Sequence, residues 1–340
     1  MPNGTTNLSL HMKRFAAIAA SALLLTAPAL ALAQSLEKTA HIGILVGGSL
    51  AQRGHLEQAL LQGLREQGYV EGKNLVLERR YADGRTERTP EFARELAAMK
   101  LDAVVTTCTP STRAAQQALG STPIIMAAVA DPVGQYLIAS LARPGGNITG
   151  LSSQAEDIMP KMLELFASVL PRSVTIAVLA EARSEVHPRM WQALIPVAQA
   201  LNVKLLKIEV GAPIDVALPV AFEMALREKA GAIFVLPDEP QFFTRRAEIV
   251  ALAAKHRLPA FYGAREAVDD GGLMSYGENL RTSYRNTASY IKQVAQGAKP
   301  SDIPVRQPTI FELVINTKTA KALGLTVPQV VLLSADVIID

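Results

Sequence analysis

Short apolar runs alternate with longer amphipathic segments from residue 41 to the end of the chain. Apolar runs bounded by turn residues are typical of strands buried on both faces of a parallel sheet, and the segments between them have helical periodicity. The predicted strands are residues 41–46, 74–81, 102–107, 123–129, 174–179, 203–210, 232–236, 259–262, 272–277 and 311–316. The predicted helices are residues 50–67, 87–100, a segment ending at 119, 135–142, 186–200, 218–229, 242–256, 280–296 and 317–323.

This alternation occurs twice along the chain. A sharp turn at residues 143–147, Arg-Pro-Gly-Gly-Asn, ends the first array, and the pattern restarts after a crossing segment at residues 148–152. Two such arrays predict an α/β fold with two doubly wound parallel-sheet lobes, and repeated crossings between lobes make a hinge. The expected N-terminal lobe is residues 41–150 plus 278–308, and the expected C-terminal lobe is residues 151–277 plus 309–340.

The N-terminal segment has the features of an export signal. Met12-Lys13-Arg14 gives a basic start, residues 15–32 are almost wholly apolar or small, and Ala31-Leu32-Ala33 fits a signal-peptidase site. This order predicts a signal peptide over residues 1–33 and a periplasmic mature protein. A membrane anchor is the alternative, because the apolar stretch approaches spanning length. Translation could start at Met1 or at Met12.

Charge and residue composition exclude several classes of function. Cleavage after Ala33 would remove Lys13 and Arg14 from the 34 basic residues and none of the 31 acidic ones, which leaves the charges nearly balanced. Nucleic-acid binding needs a basic stripe, so we expect no nucleic-acid partner. The five histidines show no metal-ligand spacing, and the one cysteine, Cys108, has no evident catalytic partner in sequence. We expect no metal, no cofactor and no catalysis.

The most specific candidate site follows the third predicted strand. Ligands of open parallel sheets bind beyond the carboxyl ends of the strands. Pro110 fits the first position of the next helix, which would make Thr109 its N-cap, and such a helix start attracts a carboxylate. The candidate ligand-binding residues here are Thr107, Thr109, Ser111 and Thr112. Their hydroxyl groups could equally do no more than cap the helix.

Further candidates follow other predicted strands. Ser49 comes after Gly47-Gly48, Asp131 precedes a proline, and Asp238 and Glu239 follow a strand of the second lobe. These carboxylates could hold a ligand amine. The alternative for Asp131 is that it starts a turn, and the alternative for Glu239 is that it begins a helix, where acids are favoured. Gly47-Gly48-Ser49 lacks the lysine of a phosphate-binding loop, and a plain tight turn is its alternative.

Two more side chains are candidates for the second lobe. Arg265 follows Tyr262-Gly263 and could pair with a ligand carboxylate, or it could be a surface arginine. Tyr276 lies where the chain is expected to cross between the lobes, and it could wall a cleft or pack in the core.

The chain also resembles a known family, the ABC-transporter substrate-binding proteins of the tryptophan/tyrosine-binding type, which have a type I periplasmic-binding fold. The motifs that carry the resemblance are Gly63-Leu-Arg-Glu-Gln-Gly-Tyr69, Glu71-Gly-Lys-Asn74, Ala130-Asp-Pro-Val-Gly134, residues 141–152, Gly271-Gly-Leu-Met-Ser-Tyr-Gly277 and Phe311-Glu-Leu-Val-Ile-Asn316. The resemblance implies a cleft that receives an amino acid or a related solute. On the family pattern the hydroxyls of residues 107–112 would meet its carboxylate, and Asp238 would face its amine.

Two departures from the family pattern fall where ligands are recognised. Pro237-Asp238-Glu239 stands where members often have Thr-Asp-Asn, and Glu181-Ala182 stands where Asn-Pro is usual. An aromatic amino acid is therefore only one candidate for the solute.

These features lead us to predict the periplasmic binding protein of an ABC importer, which captures a small solute by hinge closure. The resemblance implies a permease in the inner membrane as its partner, and we expect a monomer. A ligand-sensing module of a membrane receptor is one alternative, since folds are shared between functions. A secreted enzyme using Cys108 or Asp131 is another.

Overall fold

The structure, a computed structural model, describes residues 39–340, so the predicted signal peptide and both possible start sites lie outside the described residues. The strands are β1 (Ala40–Val46), β2 (Leu75–Tyr81), β3 (Ala103–Thr106), β4 (Ile124–Val129), β5 (Ile148–Ser152), β6 (Thr175–Glu181), β7 (Lys204–Val210), β8 (Ala232–Val235), β9 (Ala260–Tyr262), β10 (Met274–Glu278), β11 (Phe311–Asn316) and β12 (Val337–Ile339). The first helices are α1 (Leu50–Glu66), α2 (Thr89–Ala97), α3 (Thr109–Ala118), α4 (Met159–Val169), α5 (His187–Ala200) and α6 (Ile214–Arg227). The later helices are α7 (Pro240–Thr244), α8 (Arg246–Lys255), α9 (Arg265–Asp269), α10 (Leu280–Ala295), α11 (Thr317–Ala322) and α12 (Gln329–Leu333).

The first sheet contains five strands in the order β2-β1-β3-β4-β5, and all of its pairs are parallel. Its strands are apolar on both faces because each face has its own buried core. In β1, Ile42 and Ile44 pack on one face with side chains of α1 and α10, whereas Leu45 packs on the other with side chains of α2 and α3. The continuous apolar runs of the sequence are therefore explained by helices on both sides of the sheet.

The second sheet contains seven strands in the order β12-β11-β10-β9-β8-β6-β7. All of its pairs are parallel except β10 with β11, which is antiparallel. Phe166 of α4 anchors the core on one face, where its ring centroid lies 5.3 Å from that of Phe261. Phe222 of α6 is fully buried in the core on the other face. The two sheets confirm the predicted fold class of two doubly wound lobes.

Within the described residues the chain passes between the two sheets three times. It leaves the first sheet after β5, and it returns after β10, because Tyr284 and Ile291 of α10 are buried in the core beside β1. Residues 303–306 then run along β5, where the Ser152 amide donates to the Arg306 carbonyl at 2.9 Å, before β11 joins the second sheet. The boundaries at residues 150, 278 and 308 stay predictions. No helix in residues 39–340 is long and apolar enough to cross a membrane.

The structure corrects the sequence prediction at several elements. Residues 135–142 form turns rather than a helix, because the amides of Leu137 and Ile138 both donate to the Pro132 carbonyl and Tyr136 has a φ of 56°. The predicted helix at residues 242–256 is two helices, α7 and α8. The helices α4 and α9 and the edge strand β12 were not predicted, since short or Pro-containing segments carry weak periodicity.

The α1–α10 contact that holds residues 280–295 on the first sheet depends on a glycine. A Cβ on Gly63 would lie 2.2 Å from the Arg285 carbonyl oxygen, whereas a Cβ on Gly54 of the same helix would meet only Leu50 Cδ1 at 3.8 Å. We expect Gly63→Ala to lower the free energy of unfolding by about 1–3 kcal/mol, the usual cost of overpacking. Gly54→Ala, the matched control, should raise it by up to about 1 kcal/mol, because alanine favours a helix. Urea denaturation measures both, and equal effects of the two substitutions would contradict the role of Gly63.

Candidate functional site

A cavity lies where elements of the two sheets meet. Its empty space, including the part open to solvent, is about 910 Å³. The first sheet contributes Thr107 and Cys108 after β3 and Ser153 after β5, and the second contributes residues 235–239 after β8 and 262–264 after β9. The carboxyl ends of the parallel strands therefore face the cavity, as expected for ligand sites of open α/β sheets.

Asp238 projects from the loop after β8. Its backbone has a φ of 69°, and its Oδ2 accepts a hydrogen bond from the Thr109 hydroxyl at 3.2 Å, which joins the loops of the two sheets. Burial, together with the neighbouring carboxylates of Glu156 and Glu278, raises the pKa of Asp238 to about 8. This carboxylate therefore needs a cation to be stable in its charged form.

A buried histidine holds the Asp238 loop in place. His187 Nδ1 accepts from the Glu181 amide at 2.8 Å, so its Nε2 carries the hydrogen and donates to the Pro237 carbonyl at 2.9 Å. Burial lowers the pKa of His187 to about 4, which keeps the ring neutral. Glu181, one of the departures from the family pattern, accepts from the Gln241 side chain at 3.2 Å and is absent from the cavity lining. The loop is thus fixed by hydrogen bonds within the second lobe.

Arg53 supplies a cation from the opposite wall. It is only 8% exposed, donates from Nη1 to the Tyr284 hydroxyl at 3.0 Å, and lies 4.3 Å from the ring centroid of Phe243 in α7. Gly48 makes room for it, since a Cβ there would lie 2.6 Å from Arg53 Nε. That Nε is buried and finds no hydrogen-bond partner within residues 39–340. The guanidinium is therefore placed to bind an anionic group from the cavity.

Other polar atoms of the lining also lack partners. The Ser153 hydroxyl, the Tyr262 hydroxyl and Glu278 Oε1 are buried and make no hydrogen bond within the described part of the chain. Burial raises the pKa of Glu239 to about 8 and that of Glu278 to about 7. Buried polar groups are normally satisfied, and clustered pKa shifts mark functional sites, so these atoms indicate a binding cavity.

Aromatic and aliphatic side chains form the rest of the wall. Phe242, Phe243 and Tyr284 line the cavity together with Val235, Leu236 and Leu280. A cavity with large apolar walls and a few convergent polar groups is typical of a site for a small organic molecule.

Three of the predicted site residues line the cavity. These are Thr107, Asp238 and Glu239. Thr109 contacts Asp238 without lining the cavity, and Glu239 is also the N-cap residue of α7. Ligand contact by these residues stays a prediction that their position supports.

The remaining hydroxyls of the Thr-rich segment are used within the segment itself. Cys108, rather than Thr109 as predicted, is the N-cap of α3, and Pro110 is the second helical residue. Ser111 Oγ accepts from the Cys108 amide at 3.2 Å and donates to its carbonyl at 2.9 Å. Thr112 Oγ1 lies 2.7 Å from Thr106 Oγ1. Helix capping therefore accounts for Ser111, and hydrogen bonds within the segment account for Thr112.

Four predicted residues have other partners outside the cavity lining. Ser49 Oγ caps α1 by accepting from the Gln52 amide at 3.4 Å. Asp131 pairs with Arg189 and accepts from the Gly134 amide at 2.8 Å. Arg265 pairs with Asp269 at 3.2 Å and with Glu312 at 3.1 Å, and the Tyr276 ring lies 5.8 Å from that of Phe311. A ligand role for these four stays untested.

The sequence reading missed Arg53, Ser153, Phe243, Glu278 and Tyr284. Arg53 carried a usable signal, because it lies on the helical face that Leu56, Leu60 and Leu64 bury. An arginine on the buried face of an amphipathic helix needs a partner. Ser153, Phe243 and Glu278 lie after a strand, in a short helix and at a strand end, where periodicity gives no such contrast, and Tyr284 lies on the buried face of α10, where an aromatic residue is expected for packing alone.

The raised carboxyl pKa values predict a stability that depends on pH. The pKa of Asp238 is higher in the folded than in the unfolded protein. Its contribution to the free energy of unfolding is therefore complete at a pH below the unfolded pKa, and it is lost as the pH rises through about 8. The unliganded protein should lose at least about 1 kcal/mol more between pH 5 and pH 8 than Asp238→Asn does. Urea denaturation at both pH values measures this, with the exposed Glu223→Gln as the control. An equal pH dependence of the wild type and Asp238→Asn would contradict it.

Comparison with known proteins agrees with this geometry. Residues 42–339 match the family model described as ABC transporter substrate binding protein. The tyrosine-binding protein of Clostridioides difficile (strain R20291) is 27% identical over 295 residues, which are 85% of this chain and 82% of that protein.

Two solved structures are similar over most of this chain. A Streptococcus pneumonia ABC domain in complex with L-Trp has a TM-score of 0.80 and 27% identity, and the match covers 89% of this chain and 100% of that one. A conserved domain protein from Vibrio cholerae has a TM-score of 0.81 and 29% identity, with 88% and 100% covered. The family consists of substrate-binding proteins rather than enzymes. The chain belongs to the ABC transporter substrate-binding protein family.

Proposed function

We propose that this protein captures a small solute with a carboxylate and an amine, such as an amino acid, for an ABC importer outside the inner membrane. The observation that carries the proposal is the pairing of charges across the cavity. Arg53 offers an unpartnered Nε on the side of the first sheet, and the Asp238 carboxylate stands in the loop of the second. A zwitterion supplies one partner for each of them.

The charges suggest how the solute is oriented. The ammonium group meets Asp238, whose Oδ2 accepts the Thr109 hydroxyl and whose carboxylate has further lone pairs for other donors. The carboxylate meets the Arg53 guanidinium, next to the Thr107 side chain. Charge-assisted hydrogen bonds of this kind are stronger than neutral ones, above all where water is excluded.

Capture requires closure of the two lobes on the solute. Contacts across the cleft support a closed form, since His55 pairs with Glu266 at 2.8 Å and Arg113 pairs with Glu185 at 2.9 Å. A ligand shifts the equilibrium toward this form only through contacts that the open form lacks. A solute held by Arg53 and Asp238 together has that property, because the two residues belong to different lobes.

The relatives make aromatic amino acids one class of candidate solutes. The relative from Clostridioides difficile is named for tyrosine, and the similar structure from Streptococcus pneumonia holds L-Trp. The walls formed by Phe242, Phe243 and Tyr284 could stack on an aromatic side chain.

The secreted-enzyme alternative has little support from the site. Cys108 lines the cavity, but burial raises the pKa of its thiol, and a buried neutral thiol is a poor nucleophile. No group of three or more potential metal ligands occurs among residues 39–340.

Native mass spectrometry of the purified protein, followed by melting curves with the compounds it detects, tests the proposal. We expect an amino acid or a related compound to co-purify, to raise the melting temperature and to be recovered unchanged. Chemical turnover of the compound would contradict a binding protein.

Asp238→Ala should weaken binding of the co-purified compound by about 30-fold or more, since removing one partner of a buried charge pair costs at least about 2 kcal/mol. Isothermal titration calorimetry measures the affinity, with L-Trp and L-Tyr as further probes and Glu223→Ala as the control. Unchanged affinity of Asp238→Ala would remove this carboxylate from the site.

A further inference from the structure

We infer that the solute carries a second, cationic nitrogen, which Glu278 receives, so that the cavity selects basic amino acids or diamines over neutral compounds of the same shape. The inference rests on the proposed function, in which the solute is an amino acid or a related compound, and it adds a cationic group on the ligand side chain. It is carried by an unpartnered carboxylate oxygen, by the balance of charges in the lining and by two unpartnered hydroxyls.

The Glu278 carboxylate is only half satisfied. Glu278 is the last residue of β10 and lines the cavity beside Leu280. Its Oε2 accepts from the Ser283 hydroxyl, whereas its Oε1 is buried and has no partner within the described residues. An ionised carboxylate can accept about four hydrogen bonds. The cavity thus presents an acceptor that no neighbouring protein group satisfies.

The charges of the lining favour a ligand with a net positive charge. The charged residues of the lining are Arg53, Arg246, Asp238, Glu239 and Glu278. Arg246 already pairs with Asp270 at 2.9 Å, which leaves Arg53 as the other basic side chain of the lining against three carboxyl groups, whose pKa values burial raises to about 8, 8 and 7. A zwitterion adds one positive and one negative charge and leaves this excess unchanged. A second cation on the ligand is therefore favoured, because it can pair with a carboxyl group that otherwise keeps its proton.

Two hydroxyls can accept the remaining hydrogens of such a group. Ser153 and Tyr262 are 8% and 3% exposed, and neither hydroxyl oxygen has a hydrogen-bond partner among residues 39–340. An ammonium group has three hydrogens to donate and a guanidinium group has five. A phenol or an indole brings a single donor and no charge, so it would satisfy less of this lining.

The protonation of Glu278 agrees with this assignment. Burial raises its pKa to about 7, so the empty cavity holds this carboxyl group partly protonated near neutral pH. A ligand cation would take the place of the proton. The other titratable groups of the same lining are Arg53 of α1, Cys108 before α3, Asp238 and Glu239 of the β8–α7 loop, Arg246 of α8, Tyr262 of β9 and Tyr284 of α10.

Calorimetry with matched pairs of probes tests the inference. L-arginine and L-citrulline have nearly the same shape but differ in charge, as L-lysine and L-norleucine do, and agmatine has two cations without a carboxylate. We expect arginine or lysine to bind at least about tenfold more tightly than its neutral counterpart, as for a hydrogen bond to a charged group. Glu278→Gln should remove this preference. Glu223→Gln is the control variant.

Each outcome decides between the two proposals. If L-Phe, L-Tyr or L-Trp binds more tightly than the basic compounds and Glu278→Gln has no effect, the second cation is wrong and the proposed function stands. If agmatine binds and Glu278→Gln weakens its binding, while the amino acids do not bind, then the solute is not an amino acid and the role of Glu278 as the receiver of a cation is supported. Binding of no probe would overturn both. If Glu278→Gln does not fold, the wild-type ratio of arginine to citrulline decides alone.

Discussion

The structure depends on charged groups that neither lobe can satisfy by itself. Arg53 is buried against Tyr284 and Phe243 with its Nε unpartnered, while Asp238 has the Thr109 hydroxyl from the other lobe as its contact. Placing unpaired charges in a closing cleft costs free energy, so the closed form gains most when a ligand brings the missing partners. Because these groups lack hydrogen-bond and charge partners in the empty closed form, that form is unfavourable without a ligand, and binding is therefore coupled to closure.

The topology explains why these groups meet. Parallel strands end at the same edge of a sheet, so Thr107 after β3 and Asp238 after β8 come to the edges that face each other. The third contribution comes from the crossing after β10, which carries Glu278 in the second sheet and Tyr284 in the core of the first. A crossing segment contacts both lobes, so the positions of its residues depend on the distance between the lobes. The charged groups therefore lie in α1, in the β8–α7 loop and at the end of β10, and the sheets provide a rigid frame for them.

Sequence periodicity predicted the fold well because burial on both faces of a sheet leaves a local signature. It failed where local polar contacts compete with that signature, as at residues 135–142, where the Pro132 carbonyl accepts two amides. For the site, position after a strand correctly placed Thr107 and Asp238 in the lining. It could not separate a hydroxyl that faces a ligand from one that caps a helix, as Ser111 does. Arg53 and Tyr284 are 231 residues apart, and only the folded chain shows that they touch.

The excess of carboxylates in the lining needs a reason beyond stability. Replacing a buried charged group by an apolar one of similar size is often neutral or stabilising, so Glu278 would be an unfavourable choice for a wall that only had to pack. The nearby Phe242 and Leu236 show that the fold accommodates apolar residues in the same wall. A carboxylate kept with one oxygen unpartnered makes physical sense if the missing donor arrives with the ligand. The unpartnered oxygen then makes the cavity selective, because a compound without that donor leaves the Glu278 oxygen unsatisfied when the cleft closes and therefore binds more weakly.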